Sequence, residues 1–357
     1  MSHALRCLTL VSATLLSTAA QTEPFEISGY VGTDLSYFPT SGLHAGQLDD
    51  LQYGLVLAPE FRWWSDSRDT QVKVSAFGRV DSADSKRQHL DLREGYIRHE
   101  FEDFTALIGV NKVFWGVAES RRLVDVINQI DQLEYTDKDA RLGQPMLALS
   151  TDQDWGTLSG FLMTGFRKLD FAGSEGRLRL PLPVSDTVVF GHHARENAKD
   201  YALRYANSFG DFDLGLSHFN GTSREALLTR VGNSLQAKYS RISQAGIDLQ
   251  YTGDATLLKL EAITRNSADF KRFEAAVAGL EYTIYQVAET DGDLGLIAEY
   301  NYDNRGASTP STIFQKDAFI GGRWAANDSE DTSFILGIMI DLEDGTRAFQ
   351  GEFNRRL

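Results

Sequence analysis

The residues best suited to chemistry are few. Among seven histidines, His218 stands closest to possible partners, in Ser217-His218-Phe219-Asn220-Gly221-Thr222-Ser223-Arg224. A serine hydrolase needs a histidine to take the serine proton and a third group to orient the ring. His218, Ser223 and Asn220 supply those types. They straddle an expected strand-to-loop boundary, however, and His218 shares the apolar face of Leu214 and Leu216. His192 and His193 are adjacent, and neighbours on a strand point to opposite faces, so they are poorly placed to ligate one ion. Asp49-Asp50 is too little for a calcium loop. One cysteine, Cys7, excludes a disulfide framework and any Cys-ligated zinc or iron–sulfur site. Phosphate-loop, dinucleotide and zinc-protease motifs are absent. The sequence therefore implies no metal and no cofactor. What remains is charge. Lys112, Glu119, Arg121, Arg122, Asp125 and Asp131 crowd one stretch, with Trp115 and Asn128 among them. Opposed acids and bases at close quarters set a field across a narrow passage and tune which ions cross it.

The elements that must carry such a stretch are strands. In Asp293-Leu-Gly-Leu-Ile-Ala-Glu-Tyr-Asn-Tyr-Asp303, Leu294, Leu296, Ala298, Tyr300 and Tyr302 share one face, and Glu299, Asn301 and Asp303 share the other. Successive strand side chains alternate between faces, so each such segment has a greasy side and a polar side. Leu258, Leu260 and Ala262 likewise oppose Lys259, Glu261 and Arg265. Ala276, Ala278, Leu280, Tyr282 and Ile284 oppose Glu281 and Thr283. Phe25, Ile27, Val31, Leu35 and Tyr37 oppose Glu26, Ser28, Asp34 and Ser36. Shorter runs are Phe212-Leu214-Leu216, Leu235-Ala237-Tyr239 and Ile247-Leu249-Tyr251, and a turn is expected at Ser243-Gln244-Ala245. Aromatic residues near the ends of apolar stripes resemble the girdles of outer-membrane barrels, whose interiors are polar. Long loops are expected over 39–47, 81–88, 115–141, 167–186 and 304–312, alternating with short polar turns. At roughly 20 residues per strand and turn, about 16 to 18 strands are expected, enough to enclose an aqueous lumen. No fixed repeat suggests a propeller.

Met1 to Ala20 reads as a secretory signal. Arg6 precedes an apolar run from Leu8 to Leu16, followed by Ser17, Thr18, Ala19 and Ala20. The run is too short to span a bilayer as a helix. Domain boundaries are therefore expected at 1–20 for the signal and 21–357 for one barrel. There are 35 basic and 50 acidic residues, a net charge of −15. That balance argues against a nucleic-acid partner, which needs a basic patch. It favours modest cation selectivity.

Residues 90–131 carry a more specific pattern: Leu92-Arg93-Glu94-Gly95-Tyr96, then Gly109, Trp115-Gly116, and Asp125-Val126-Ile127-Asn128 with Asp131. This resembles a porin-like family of Gram-negative outer-membrane proteins. The sequence departs from that pattern at Val110-Asn111, where the family has Arg-Gln, and at Gln129, where Pro is common. Glu119 to Leu133 is expected to form a short helix, since Leu123, Val126, Ile127 and Ile130 fall at i, i+3, i+4 and i+7. That helical loop is expected to fold into the lumen. The chain finishes at Leu357, not on the aromatic residue that barrel-insertion machinery reads. Related chains continue further, so the sequence is expected to stop short of the barrel's full length.

The fold expected is all-β, a transmembrane antiparallel barrel. Its expected role is passive diffusion of small solutes or ions across a bacterial outer membrane. Lumen and constriction candidates are Lys112, Trp115, Glu119, Arg121, Arg122, Asp125, Asn128, Asp131, Lys259, Glu261, Arg265, Glu281, Glu299 and Asn301. Expected partners are outer-membrane lipid and lipopolysaccharide, the barrel-assembly machinery, small solutes and further copies of the chain. The alternatives are a non-conducting scaffold or adhesin barrel, and a barrel hydrolase centred on His218.

Overall fold

The computed structural model describes residues 8–15, 24–134 and 139–355. Its strands are β1 (Leu8–Leu15), β2 (Phe25–Tyr37), β3 (Leu51–Trp64), β4 (Thr70–Asp81), β5 (His89–Glu100), β6 (Thr105–Asn111), β7 (Gln144–Gln153), β8 (Gly156–Met163), β9 (Val189–Phe190), β10 (Asp200–Phe209), β11 (Phe212–Thr222), β12 (Leu227–Val231), β13 (Ser234–Tyr239), β14 (Arg241–Thr252), β15 (Thr256–Ser267), β16 (Phe273–Ile284), β17 (Asp293–Asp303), β18 (Lys316–Ala325), β19 (Ser333–Asp341) and β20 (Arg347–Asn354). Seventeen belong to one sheet. From β2 onward each wall strand pairs antiparallel with the next, β8 passing directly to β10 and β11 directly to β14. The first strand, β1, lies in the expected leader and pairs with the free edge of β2. The remaining three strands form a small rim sheet.

Alternation is inverted relative to a water-soluble sheet. In β17, Leu296, Tyr300 and Tyr302 are 47%, 44% and 38% exposed, while Glu299, Asn301 and Asp303 between them are 4%, 0% and 6%. On β2, Phe25, Ile27, Leu35 and Tyr37 are exposed while Asp34 and Ser36 are buried. Greasy residues outside and charges inside are stable only where the outside is not water. Among the described residues, no helix is long and apolar enough to cross a membrane.

The connections also alternate. The turns at 65–69, 101–104, 154–155, 210–211 and 253–255 lie on one rim, and the segments at 38–50, 112–143, 164–199, 223–240 and 304–315 lie on the other. Two expectations are corrected here. Ser243-Gln244-Ala245 is no turn but lies inside β14, paired to β11 and β15. Leu235, Ala237 and Tyr239 lie in β13 of the rim sheet, not in the wall. The chain leaves the rim at Ser240, one residue before β14 begins.

Candidate functional site: an inward loop held by wall carboxylates

Residues 112–134 and 139–143, between β6 and β7, enter the space enclosed by the strands. They meet β15 and β17 on one side and β4 and β5 on another, so the sheet wraps around them. Where a helix was expected at Glu119–Leu133, the chain is irregular. The physical reason lies in the wall. Glu261 of β15 is fully buried, and its Oε1 accepts the N–H groups of Val117 (2.7 Å) and Ala118 (2.9 Å). Its Oε2 accepts those of Leu123 (2.6 Å) and Val124 (3.2 Å). Glu299 of β17 accepts the N–H groups of Glu119 and Ser120, both at 2.7 Å. Asp125 does the same within the loop, for Trp115 (2.6 Å) and Gly116 (2.9 Å). Hydrogen bonds to a charged acceptor are stronger than neutral ones. A helix would have to surrender them for i→i−4 bonds.

The apolar side chains of the loop face the same wall. Leu123, Val124, Val126, Ile127 and Trp115 join one buried cluster with Phe219, Ile242, Ile263, Phe273 and Val277. These are inward positions of β11, β14, β15 and β16, so the lumen is apolar where the loop covers it. Ile130, the last residue of the expected helical stripe, is instead 45% exposed. Gly109 lets β6 lie close on β5: its φ is +138°, and a Cβ would fall on the Gly95 carbonyl. Gly116 permits the close approach of the loop to the wall. At Gly116 a Cβ would stand 2.9 Å from Glu261 Oε1.

The base of the loop is held by cations of β4 and β5. Arg93 pairs with Asp131, and Arg79 with both Glu134 and Asp34. Burial works against the Asp131 anion, but His89 and Arg93 outweigh it and hold its carboxyl at about 2. His89, Asp131 and Glu134 are close enough to share an ion. The paired arginines already neutralise both carboxylates, which disfavours a cation there. Asn128 ties the loop to itself, accepting from Val113 N (2.8 Å) and donating to the carbonyls of Asn111 (2.8 Å) and Leu142 (3.0 Å).

The opposite edge of the loop is open. Glu119 meets Arg323 of β18 at 2.5 Å, and Arg122 meets Asp139 at 2.6 Å. These four line a cavity of about 250 Å³ with Glu352 and Asn354 of β20. Below it, Lys259 lies 3.6 Å from Glu281, which is 3.9 Å from Arg323. A second charged chain lies on β3 to β5: Lys73 reaches Glu94 (2.8 Å) and Glu60 (3.2 Å), and Lys112 stands 3.8 Å from Glu94.

The sequence-derived candidates thus divide. Glu119 and Arg122 line the cavity, and Lys112, Lys259 and Glu281 sit in the two charged groups on the wall. Glu261, Glu299, Asp125, Asn128 and Asp131 act on the backbone or base of the loop, and Asn301 donates to Ser120 Oγ at 3.0 Å. Trp115 is buried against Phe161, with Arg204 over its ring at 5.1 Å. Arg121 and Arg265 lie on the long-loop side, where Arg121 pairs with Asp303 (3.0 Å) and Arg265 with Glu225 (2.9 Å). Sequence reasoning missed Glu60, Lys73, Glu94, Arg204 and Arg323. Strand parity alone would have placed Arg323 inward, two positions from Gly321 and four from Phe319. The hydrolase residues are not assembled. His218 faces outward and meets Ser243 Oγ at 3.1 Å, while Ser223 Oγ donates to the Glu225 carbonyl at 2.9 Å and Asn220 accepts from Arg241 at 3.1 Å.

The long strand meander has solved counterparts. A mutant of the Rhodopseudomonas blastica porin superposes with a TM-score of 0.51 at 12% identity, over 93% of this chain and 99% of the other. Pseudomonas putida OprB gives 0.51 at 9% identity, over 97% of this chain and 94% of its own. The fold is that of a porin barrel. At these identities the likeness is one of fold. No protein-family model matches the sequence, and no curated relative does.

Proposed function

We propose that this chain is an outer-membrane porin, a passive channel for small solutes and ions. The observation that carries the reading is the loop 112–143. It is fixed across an inside-out barrel by wall carboxylates on one edge and leaves charged pairs and a cavity along the other. A plug would be sealed at both edges, and a soluble barrel would hide its apolar face. Solutes would pass along the open side, between Arg122, Glu119 and Arg323 and the Lys73–Glu94 chain.

In the same reading, residues 1–20 are an export leader and 21–357 form the barrel. Removal of the leader takes β1 from the edge of β2, and sixteen wall strands remain among the described residues. Lipid, lipopolysaccharide, the assembly machinery and further copies of the chain are the partners this setting implies.

Single-channel recording of the refolded protein in a planar bilayer tests the reading. Stable conductance steps in potassium chloride are expected. A folded, heat-modifiable barrel without conductance would overturn it and favour the scaffold or adhesin alternative.

A further inference from the structure

On the long-loop side of the constriction, three guanidinium groups crowd around one carboxylate. Glu225 follows β11 in the loop to β12. Its Oε2 lies 2.9 Å from Arg265 Nη1 and 2.7 Å from Arg305 Nη1. Asp303 pairs with Arg305 at 2.8 Å and with Arg121 at 3.0 Å. Asp317 of β18, buried beside Arg121, is a third carboxylate, so three fixed positive charges face three negative ones.

The cluster is built rather than incidental. Phe273 lies beneath Arg305 (4.5 Å) and Arg265 (5.5 Å), and Phe314 beneath Arg121 (5.1 Å). The rings cover guanidinium faces and leave N–H edges directed at the carboxylates. Side-chain exposure is 11%, 7% and 3% for Arg121, Arg265 and Arg305, but 35% for Glu225. The carboxylate is therefore the solvent-facing member. Its backbone is fixed: Glu225 N donates to Ser223 Oγ at 3.1 Å, and the preceding Arg224 is anchored to the Ile127 carbonyl at 2.8 Å. The side chain beyond Cα is the part free to swing. Burial opposes the Glu225 anion, yet Arg265, Arg305 and Arg121 hold its carboxyl at about 2.

We propose that this cluster is a docking station for solutes that carry a carboxylate, and that Glu225 is the tethered carboxylate such a solute displaces. The guanidinium fork matches a planar carboxylate with two parallel N–H bonds. Exchanging one carboxylate for another keeps the ion pairs and desolvates no new charge. Binding is then weak enough to release, which conduction requires. Arg121 is followed in the chain by Arg122, which lines the cavity. The inference rests on the channel reading and names its solute class.

Succinate is the probe, with chloride as the reference anion. In a planar bilayer in potassium chloride, succinate should reduce the chloride current in a saturable way. Glu225→Gln should lower the half-blocking concentration about tenfold, and Arg265→Gln should raise it by at least as much, with heat-modifiable mobility confirming folding of each. Calorimetric titration of the refolded barrel in detergent with succinate reads the same order without conductance. A barrel that conducts potassium chloride but neither binds succinate nor responds to Glu225→Gln overturns the station. A barrel that binds succinate with that mutant order yet carries no current overturns the channel reading and supports the station.

Discussion

The two edges of the loop 112–143 meet the wall by opposite means. Along the covered edge, wall carboxylates reach past the loop's side chains to its backbone: Glu261 and Glu299 together accept six N–H groups. Along the open edge, side chains meet side chains: Glu119 pairs with Arg323 of β18, and Arg122 with Asp139 of the loop itself. Backbone-directed bonds fix the path of the chain whatever its side chains are. Side-chain pairs leave the path alone and set the field. In the proposed channel, the first edge would determine where the gap is, and the second what crosses it.

The largest expected effect follows from breaking the covered edge. Glu261→Ala leaves four N–H groups without their acceptor. Each unsatisfied buried group costs about 1–3 kcal/mol, so a loss of at least about 3 kcal/mol is expected. Urea unfolding in detergent micelles would measure it, and single-channel conductance should rise as the loop leaves the wall. Unchanged conductance and stability would dismiss the carboxylate anchor. Arg93→Gln at the base of the loop should cost somewhat less, about 2–3 kcal/mol, because Asp131 retains His89 as a neighbour. The same unfolding curve, compared with that of Glu261→Ala, ranks the two attachments.

The open edge should behave differently. Arg122→Glu is expected to shift the reversal potential in a salt gradient toward cations, with the melting of the barrel unchanged within about 0.5 kcal/mol. Arg121→Glu should shift it less, because Arg121 pairs with Asp303 away from the cavity. Equal shifts would merge the two edges into one. The smallest effect should come from mild acid. Asp131 has its carboxyl lowered to about 2. A depressed carboxylate contributes stability that is present above its unfolded value near 4 and lost as pH falls through the folded value near 2. Between pH 7 and pH 5 the Asp131 carboxyl therefore stays ionised, and protonation of His89, 3.6 Å away, adds to its hold. Proteolysis of the loop should not increase in that window, and cleavage that increases at pH 5 would show the latch to be weaker than its geometry.

Much of the wall was legible in the residues. Strand parity set Glu261, Glu299, Lys259 and Glu281 on the face opposite the greasy residues, because a side-chain period of two leaves no other choice once the greasy face is known. The loop lengths told which connections would be long. The helix at Glu119–Leu133 misled for a specific reason. Its periodicity was real, but the acceptors that undid it, Glu261 and Glu299, lie far along the chain and act only after the wall has formed. The same distance hid the partition between Glu261, whose carboxylate accepts backbone N–H groups of the loop, and Glu119, whose carboxylate pairs with Arg323.

By itself the sequence determined the alternation, the outward greasy face, the inward charges and the place of the long inward stretch, since each depends on nearest neighbours along one strand or one connection. Which charges would be spent on holding the loop, which would face the gap, and that Arg121, Arg265 and Arg305 would gather around Glu225, only the tertiary structure decided. Those pairings join residues from different strands and rim loops, and no local pattern encodes the distance between them.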